Sequence, residues 1–192
     1  MKLLSSVFAL SLTLFIGSAA AETVDFNIGH KTFRGGFSGP ASRFIQGMNG
    51  LYDAGLVFNR QSQGNLYQGH IGLMMTGDVG AGAVDLTGGI GGRLLYTHIG
   101  SSDGGAFALG GQASARPTQF NRLSANASSY YAPSITSFGD LNRYFENTVS
   151  LDYEVIHGGS VYGGYRNIKQ DIGNGGNVSV DNGFNVGMKL KF

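Results

Sequence analysis

Within six residues the chain places His98, Ser101, Ser102 and Asp103, which are the base, hydroxyl and acid types of an acyl-transfer site. The stretch is also rich in Gly and Ser, so an ordinary polar turn is the preferred reading. Gly88, Gly89, Gly91 and Gly92 cluster as they would in a phosphate-cradling loop. No Lys followed by Ser or Thr stands where such a loop needs it, and the stretch reads as strand rather than strand then helix. The remaining histidines, His30, His70 and His157, have no acidic or histidine partner at ligand spacing. No catalytic, cofactor-binding or metal-binding residue is therefore assigned, no cofactor is expected, and the chain is not expected to be an enzyme.

The charged residues form a more coherent set. Asp85, Arg93, Arg116, Arg122, Glu146, Asp152, Glu154 and Arg166, with Lys189 and Lys191, share one face of segments whose other face is apolar. Glu146, Asp152 and Glu154 lie on one segment, Arg166 on the next and Arg122 on the previous one, so opposite charges can meet across neighbouring strands. Such a network would either fill an interior with ion pairs or line a narrow pore that selects ions or small solutes.

The elements that must position these charges are strands. Period-two alternation recurs at 52–60, 66–76, 83–97, 106–116, 122–131, 144–155, 160–168 and 182–192, broken by Gly, Asn, Asp and Ser. These make eight strands. Residues 23–50 leave the count open: Val24, Phe26 and Ile28 alternate and 33–37 could return, giving a first hairpin and ten strands, or the segment could lie outside the wall. Gly39 and Pro40 end it. Either total is even, as an up-and-down antiparallel barrel in a membrane requires. Counting back from the last strand places the connections 61–65, 98–105, 132–143 and 169–181 outside the cell. Those at 77–82, 117–121 and 156–159 would be short periplasmic turns, and 40–51 is too long for a comfortable one.

Alternation alone does not say which face meets lipid. Placed on this topology, Phe58, Tyr67, Tyr96, Phe107, Tyr131, Phe145, Tyr165 and Phe184 fall near one end of successive strands, facing one way. This is the aromatic girdle of a membrane interface, with Tyr52 and Phe192 at the inner rim. An Arg or Lys at the bilayer midplane costs roughly 2 to 4 kcal/mol, so the charged face belongs inside. In the closing segment Phe184, Val186, Met188, Leu190 and Phe192 alternate with Asn185, Gly187, Lys189 and Lys191. A strand ending on an aromatic residue resembles the signal by which outer-membrane barrels are handed to their assembly machinery, and Phe192 is assigned that role.

The amino terminus gives the address. Lys2, an apolar run over 3–16, then Gly17, Ser18 and three alanines have the layout of a secretory signal peptide, with cleavage expected after Ala21. The apolar run is about 14 residues, short of the roughly 20 a spanning helix needs. Residues 1–21 are thus read as the signal peptide and 22–192 as one barrel domain. Without Lys2 the formal net charge falls from +1 to about zero, and no basic patch suggests nucleic acid. There is no cysteine, so no disulfide holds this exported chain. Charged residues are only 13% of the chain, about half of what a soluble domain carries, so much of the surface is expected to avoid water.

Several short stretches together resemble the YfaZ-type family of small outer-membrane proteins. They are 88–96 (Gly, Gly, Ile, Gly, Gly, Arg, Leu, Leu, Tyr), 108–111, 130–134 (Tyr, Tyr, Ala, Pro, Ser), 137–140 (Ser, Phe, Gly, Asp), 161–166 (Val, Tyr, Gly, Gly, Tyr, Arg) and 181–183. The resemblance covers roughly the last 110 residues and implies an exported outer-membrane β-barrel; it carries no catalytic residues. The expected protein is an integral barrel of eight to ten strands in a Gram-negative outer membrane. Its expected role is structural or interactive, its lumen filled by charged side chains, and its partners outer-membrane lipid and the assembly machinery. The alternative is a narrow channel, and a less favoured one a lipid-acting enzyme at the outer rim.

Overall fold

The computed structural model describes residues 22–61, 64–79, 82–173 and 176–192. The signal peptide read at 1–21 lies outside the described residues, apart from its boundary with Glu22. The first strands, β1 (Thr23–Gly29) and β2 (Thr32–Pro40), form a hairpin that belongs to the wall. They are followed by β3 (Gly50–Gln61), β4 (Gly64–Asp78), β5 (Val84–Ile99), β6 (Ser102–Pro117), β7 (Leu123–Ala132), the short β8 (Ser137–Gly139), β9 (Leu141–Ile156), β10 (Gly159–Ile172) and β11 (Gly176–Lys191).

Neighbouring strands pair antiparallel throughout, with β7 pairing to β6 and β9, and β1 pairs with β11 to close the sheet. The β7 and β8 segments both pair with β6, at Leu109–Ala115 and Gly104–Ala106, so they occupy one place in the wall. The result is a closed up-and-down barrel of ten strands. The open question over residues 23–50 is settled by Arg34: with Phe33, Gly35 and Phe37 facing out, the intervening Arg34 turns inward, where it meets other charges. Closure satisfies the backbone without exposing an edge, the condition for crossing lipid with strands.

Residues on the outer face are large, apolar and exposed. Phe107, Leu109, Leu151 and Tyr153 point away from the axis, while Arg93 and Asp152 are buried within it. Soluble packing would put these sets the other way round.

The connections differ from expectation at one end. The span 98–105 shrinks to Gly100 and Ser101, because β5 and β6 stay paired up to Ile99 and Ser102. Likewise 169–181 is mostly strand, with a β-bulge between Ile168 and Lys169 that absorbs one residue. Polar, Gly-rich sequence marks these stretches as loops only where the partner backbone is absent; here it is present. The expected connection 132–143 is only partly one: a short 3-10 turn at Ser134–Thr136 is followed by β8, which pairs with β6, and β9 already begins at Leu141. At the other end, Gly158 adopts φ 77° in the two-residue turn between β9 and β10, a conformation that favours Gly. The long connection after β2 folds into a short 3-10 turn, Ala41–Arg43, whose Arg43 pairs with the buried Glu22.

Candidate functional site in the barrel lumen

The interior has three levels. The end bearing the β5–β6 and β10–β11 hairpins is packed with Leu66, Leu95, Ile99, Leu141, Ile168, Ile172 and Val180, all buried. These side chains point into the barrel, not into lipid. The expected filling by charged side chains is thus only part of the interior: at this end the inward residues are apolar.

Beneath this layer lies an ion-paired belt drawn from both sides of the barrel. Arg93 of β5 places Nε 2.9 Å from Asp53 Oδ2 and Nη1 3.3 Å from Glu146 Oε2, so one guanidinium joins β3 to β9. Its plane lies over the Tyr130 ring, 3.8 Å from the centroid. His70 Nε2 is 3.0 Å from the same Asp53 oxygen, and Arg34 reaches Glu146 at 3.9 Å. The Tyr144 hydroxyl donates to Glu146 at 2.6 Å and accepts from Gln68 Nε2 at 3.1 Å; Gln170 Nε2 donates to Gln68 at 2.8 Å. Arg166 forms a second cluster, donating to Asp181 at 3.3 Å and to Asn27 at 2.8 Å, while Thr32 donates to Asp181 at 3.0 Å. Asn27 and Asn185 close that cluster across the β1–β11 seam at 2.8 Å.

The partners are not those expected from strand adjacency. In register Arg166 faces Thr148 rather than Glu146, and its carboxylate partner is Asp181. Glu146 reaches across the lumen to Arg93 and Arg34 instead, because the interior is narrow enough for two long side chains to meet.

Below the belt the lumen opens. Two cavities of about 340 and 740 Å³ share Thr23, Ser114, Asn126 and Lys189 in their walls and form one vestibule open at the far end. Asp152 is held by Lys189 and accepts from Ser150 at 2.7 Å. Arg116, Arg122 and Glu154 stand around the mouth, with Arg116 and Arg122 exposed. Glu154 lies 3.8 Å from His157, and neither Arg116 nor Arg122 has a carboxylate within 4 Å among the described residues. Asp85 is exposed at the end of β5, opposite Arg116 in register but outside the cavity walls. The eight charges singled out in the sequence are therefore split: Arg93, Glu146, Asp152 and Arg166 are buried, and the other four sit at or near the mouth.

Sequence reasoning missed Arg34, Asp53 and Asp181. Asp53 carried a readable signal, since it shares its strand face with Val57 and Asn59, away from Leu56 and Phe58. Asp181 has the same inward parity as Asn185 and Lys189, but it was passed over because 169–181 reads as a connection rather than as strand.

The eight girdle aromatics all project outward. Phe58 faces Tyr67, Tyr131 faces Phe145 and Tyr165 faces Phe184 across strand pairs, with ring centroids 5.1 Å apart in the first pair and 5.5 Å in the last. At the hairpin tip beside them, Asp103 accepts from the Tyr96 hydroxyl at 2.6 Å and lies 2.7 Å from His98 Nδ1. Among the described residues neither Ser101 nor Ser102 hydrogen-bonds to His98, so the base and acid types meet there without a hydroxyl between them.

Comparisons with solved structures return outer-membrane barrels. The outer-membrane channel DcaP of Acinetobacter baumannii aligns with 88% of this chain and 54% of its own, at 11% identity and TM-score 0.38. A porin aligns with 93% of this chain and 64% of its own, at 11% identity and TM-score 0.29. OccK11 (OpdR) of Pseudomonas aeruginosa aligns over 93% and 68%, at 12% identity and TM-score 0.23. The chain thus spans less than two thirds of the first two. No curated protein matches the chain. The YfaZ precursor family matches residues 4–192, nearly the whole sequence, and this ten-stranded barrel belongs to the YfaZ family.

Proposed function

We propose that the protein is an integral barrel of the Gram-negative outer membrane with a structural or interaction role, and that it does not conduct. The observation that carries this reading is the stack of two unlike layers across the lumen. An ion would have to shed its water to cross the packed side chains around Leu95 and Ile168, and it would have to displace the Arg93 guanidinium from two carboxylates. Export through the signal peptide and insertion by the barrel-assembly machinery through β11 and Phe192 belong to the same reading. That orientation puts the sealed end outside the cell and the vestibule towards the periplasm. Lipid-directed catalysis at the rim is disfavoured by the absence of a hydroxyl bonded to His98 among the described residues.

Purified protein reconstituted in planar bilayers tests the proposal. No discrete conductance steps are expected in the full chain. Steps of reproducible size that change with Arg93→Ala would instead support the narrow channel.

A further inference from the structure

The outer face of β2 to β6 differs from the rest of the wall. One row of outward positions runs Gly35, Leu56, Gly69, Tyr96, Gly105 across five strands in direct register. Glycine alternates with a large side chain; the missing side chains at Gly35 and Gly69 open an apolar groove of about 1210 Å³, and Phe138, lying over Gly105, bounds it. A Cβ added at Gly35 would meet nothing within 4 Å. Just above the groove, towards the hairpin tips, Phe33, Phe58 and Tyr67 form the next row in register. Above them stand Lys31 and Arg60, both exposed and brought opposite each other by the hydrogen bond from Arg60 N–H to Lys31 O, 3.2 Å. Among the described residues neither cation has a carboxylate within 4 Å, whereas His98 on the same face is already engaged by Asp103.

Apolar groove, aromatic shelf and free cation pair succeed one another along the membrane normal. This is the order of acyl chain, interface and phosphate in a lipid. We propose that this face binds one phosphorylated lipid of the outer leaflet, its phosphate between Lys31 and Arg60 and an acyl chain in the groove over Gly35 and Gly69. Charge-assisted contacts from two cations fix the headgroup, and the glycine row admits a chain that a flush wall would turn away. The outer-leaflet assignment rests on the orientation given under Proposed function; the groove and the cation pair do not depend on whether the barrel conducts.

The test is native mass spectrometry of the full chain in detergent, mixed with diphosphorylated lipid A, with the same lipid after phosphatase treatment, or with phosphatidylglycerol. Retention of one diphosphorylated lipid is expected, with at least tenfold weaker retention of the dephosphorylated form. K31Q/R60Q should lose binding by a similar factor, and Gly35→Leu, which fills the groove at a position with room for a side chain, should weaken it separately. Heat-modifiable gel mobility reports that each variant is folded. Equal retention of both lipid A forms, or no loss in K31Q/R60Q, overturns the proposal. Equal retention of phosphatidylglycerol overturns the outer-leaflet assignment, and a dimer in place of the lipid adduct makes the groove a contact between copies.

Discussion

The two ends of the lumen solve the same problem differently. Towards the hairpin tips at Gly100 and Ser101 the interior is filled as a protein core is, with Leu66, Leu95, Ile99 and Ile168 excluding water. Towards the opposite end the same ten strands surround a vestibule lined by Ser114, Asn126, Thr23 and Lys189. The strands alternate in the same way throughout, so the wall itself does not choose between plug and cavity. The difference lies in side-chain size on inward positions: on β6 and β7 the lower inward residues, Ser114 and Asn126, are small or polar, whereas β10 sends Ile168 and Ile172 into the sealed end. A barrel of this size can be shut or hollow along its own length.

The contrast can be broken most sharply by accessibility. The chain has no cysteine, so single substitutions report cleanly: Ser114→Cys should react fully with a water-soluble maleimide in the folded protein, and Leu95→Cys should stay unmodified over the same time. Equal labelling would mean that water reaches both halves. The next largest effect is expected at the belt dividing them. Arg93→Ala strands Glu146 and Asp53 without their guanidinium and should cost about 3 to 5 kcal/mol in urea unfolding of the reconstituted protein. Arg93→Met, which also removes the charge but retains volume, is expected to recover little, because the buried carboxylates still lack the guanidinium, and His70, Arg34 and Tyr144 alone must satisfy them.

Smaller effects sharpen the difference further. Ile168→Val removes one methylene from the sealed layer and should cost about 1 kcal/mol, as in any close-packed core. Arg122→Gln, at the exposed mouth, should stay within about 0.5 kcal/mol of the parent. If both changes cost the same, the layer around Ile168 is not packed as a core.

Much of this architecture was legible in the sequence for one reason: lipid and lumen impose opposite demands on alternate residues. Phe107, Leu109, Leu151 and Tyr153 could be assigned outward, and Arg93 and Asp152 inward, from parity alone. Parity gives direction but not what fills the bore. With Arg93 inward and Tyr96 outward, Leu94 must face out and Leu95 in, yet the charged members of the inward face drew attention away from the apolar residues that close the lumen. Parity also reaches only as far as a strand is drawn: Asp181 continues the inward set of Asn185 and Lys189, but 169–181 reads as a polar connection, and so Asp181 was not recognised as the partner of Arg166. Cross-lumen pairing was beyond reach for a different reason. Adjacency along the sheet ranks neighbouring strands first, but the meeting of Arg93 with Glu146 is set by the bore, which no single strand encodes.

The brevity of the turns at the sealed end limits what the molecule offers to its surroundings. Gly100 and Ser101 join two long strands with almost no chain to spare, and β1 returns to β2 through His30 and Lys31. Among the described connections at that end, the irregular stretch is 133–136, before β8, and it carries Ile135, 90% exposed. A large body arriving from that side would find tight tips at the described β1–β2 and β5–β6 turns and a greasy handhold at Ile135 and Phe138.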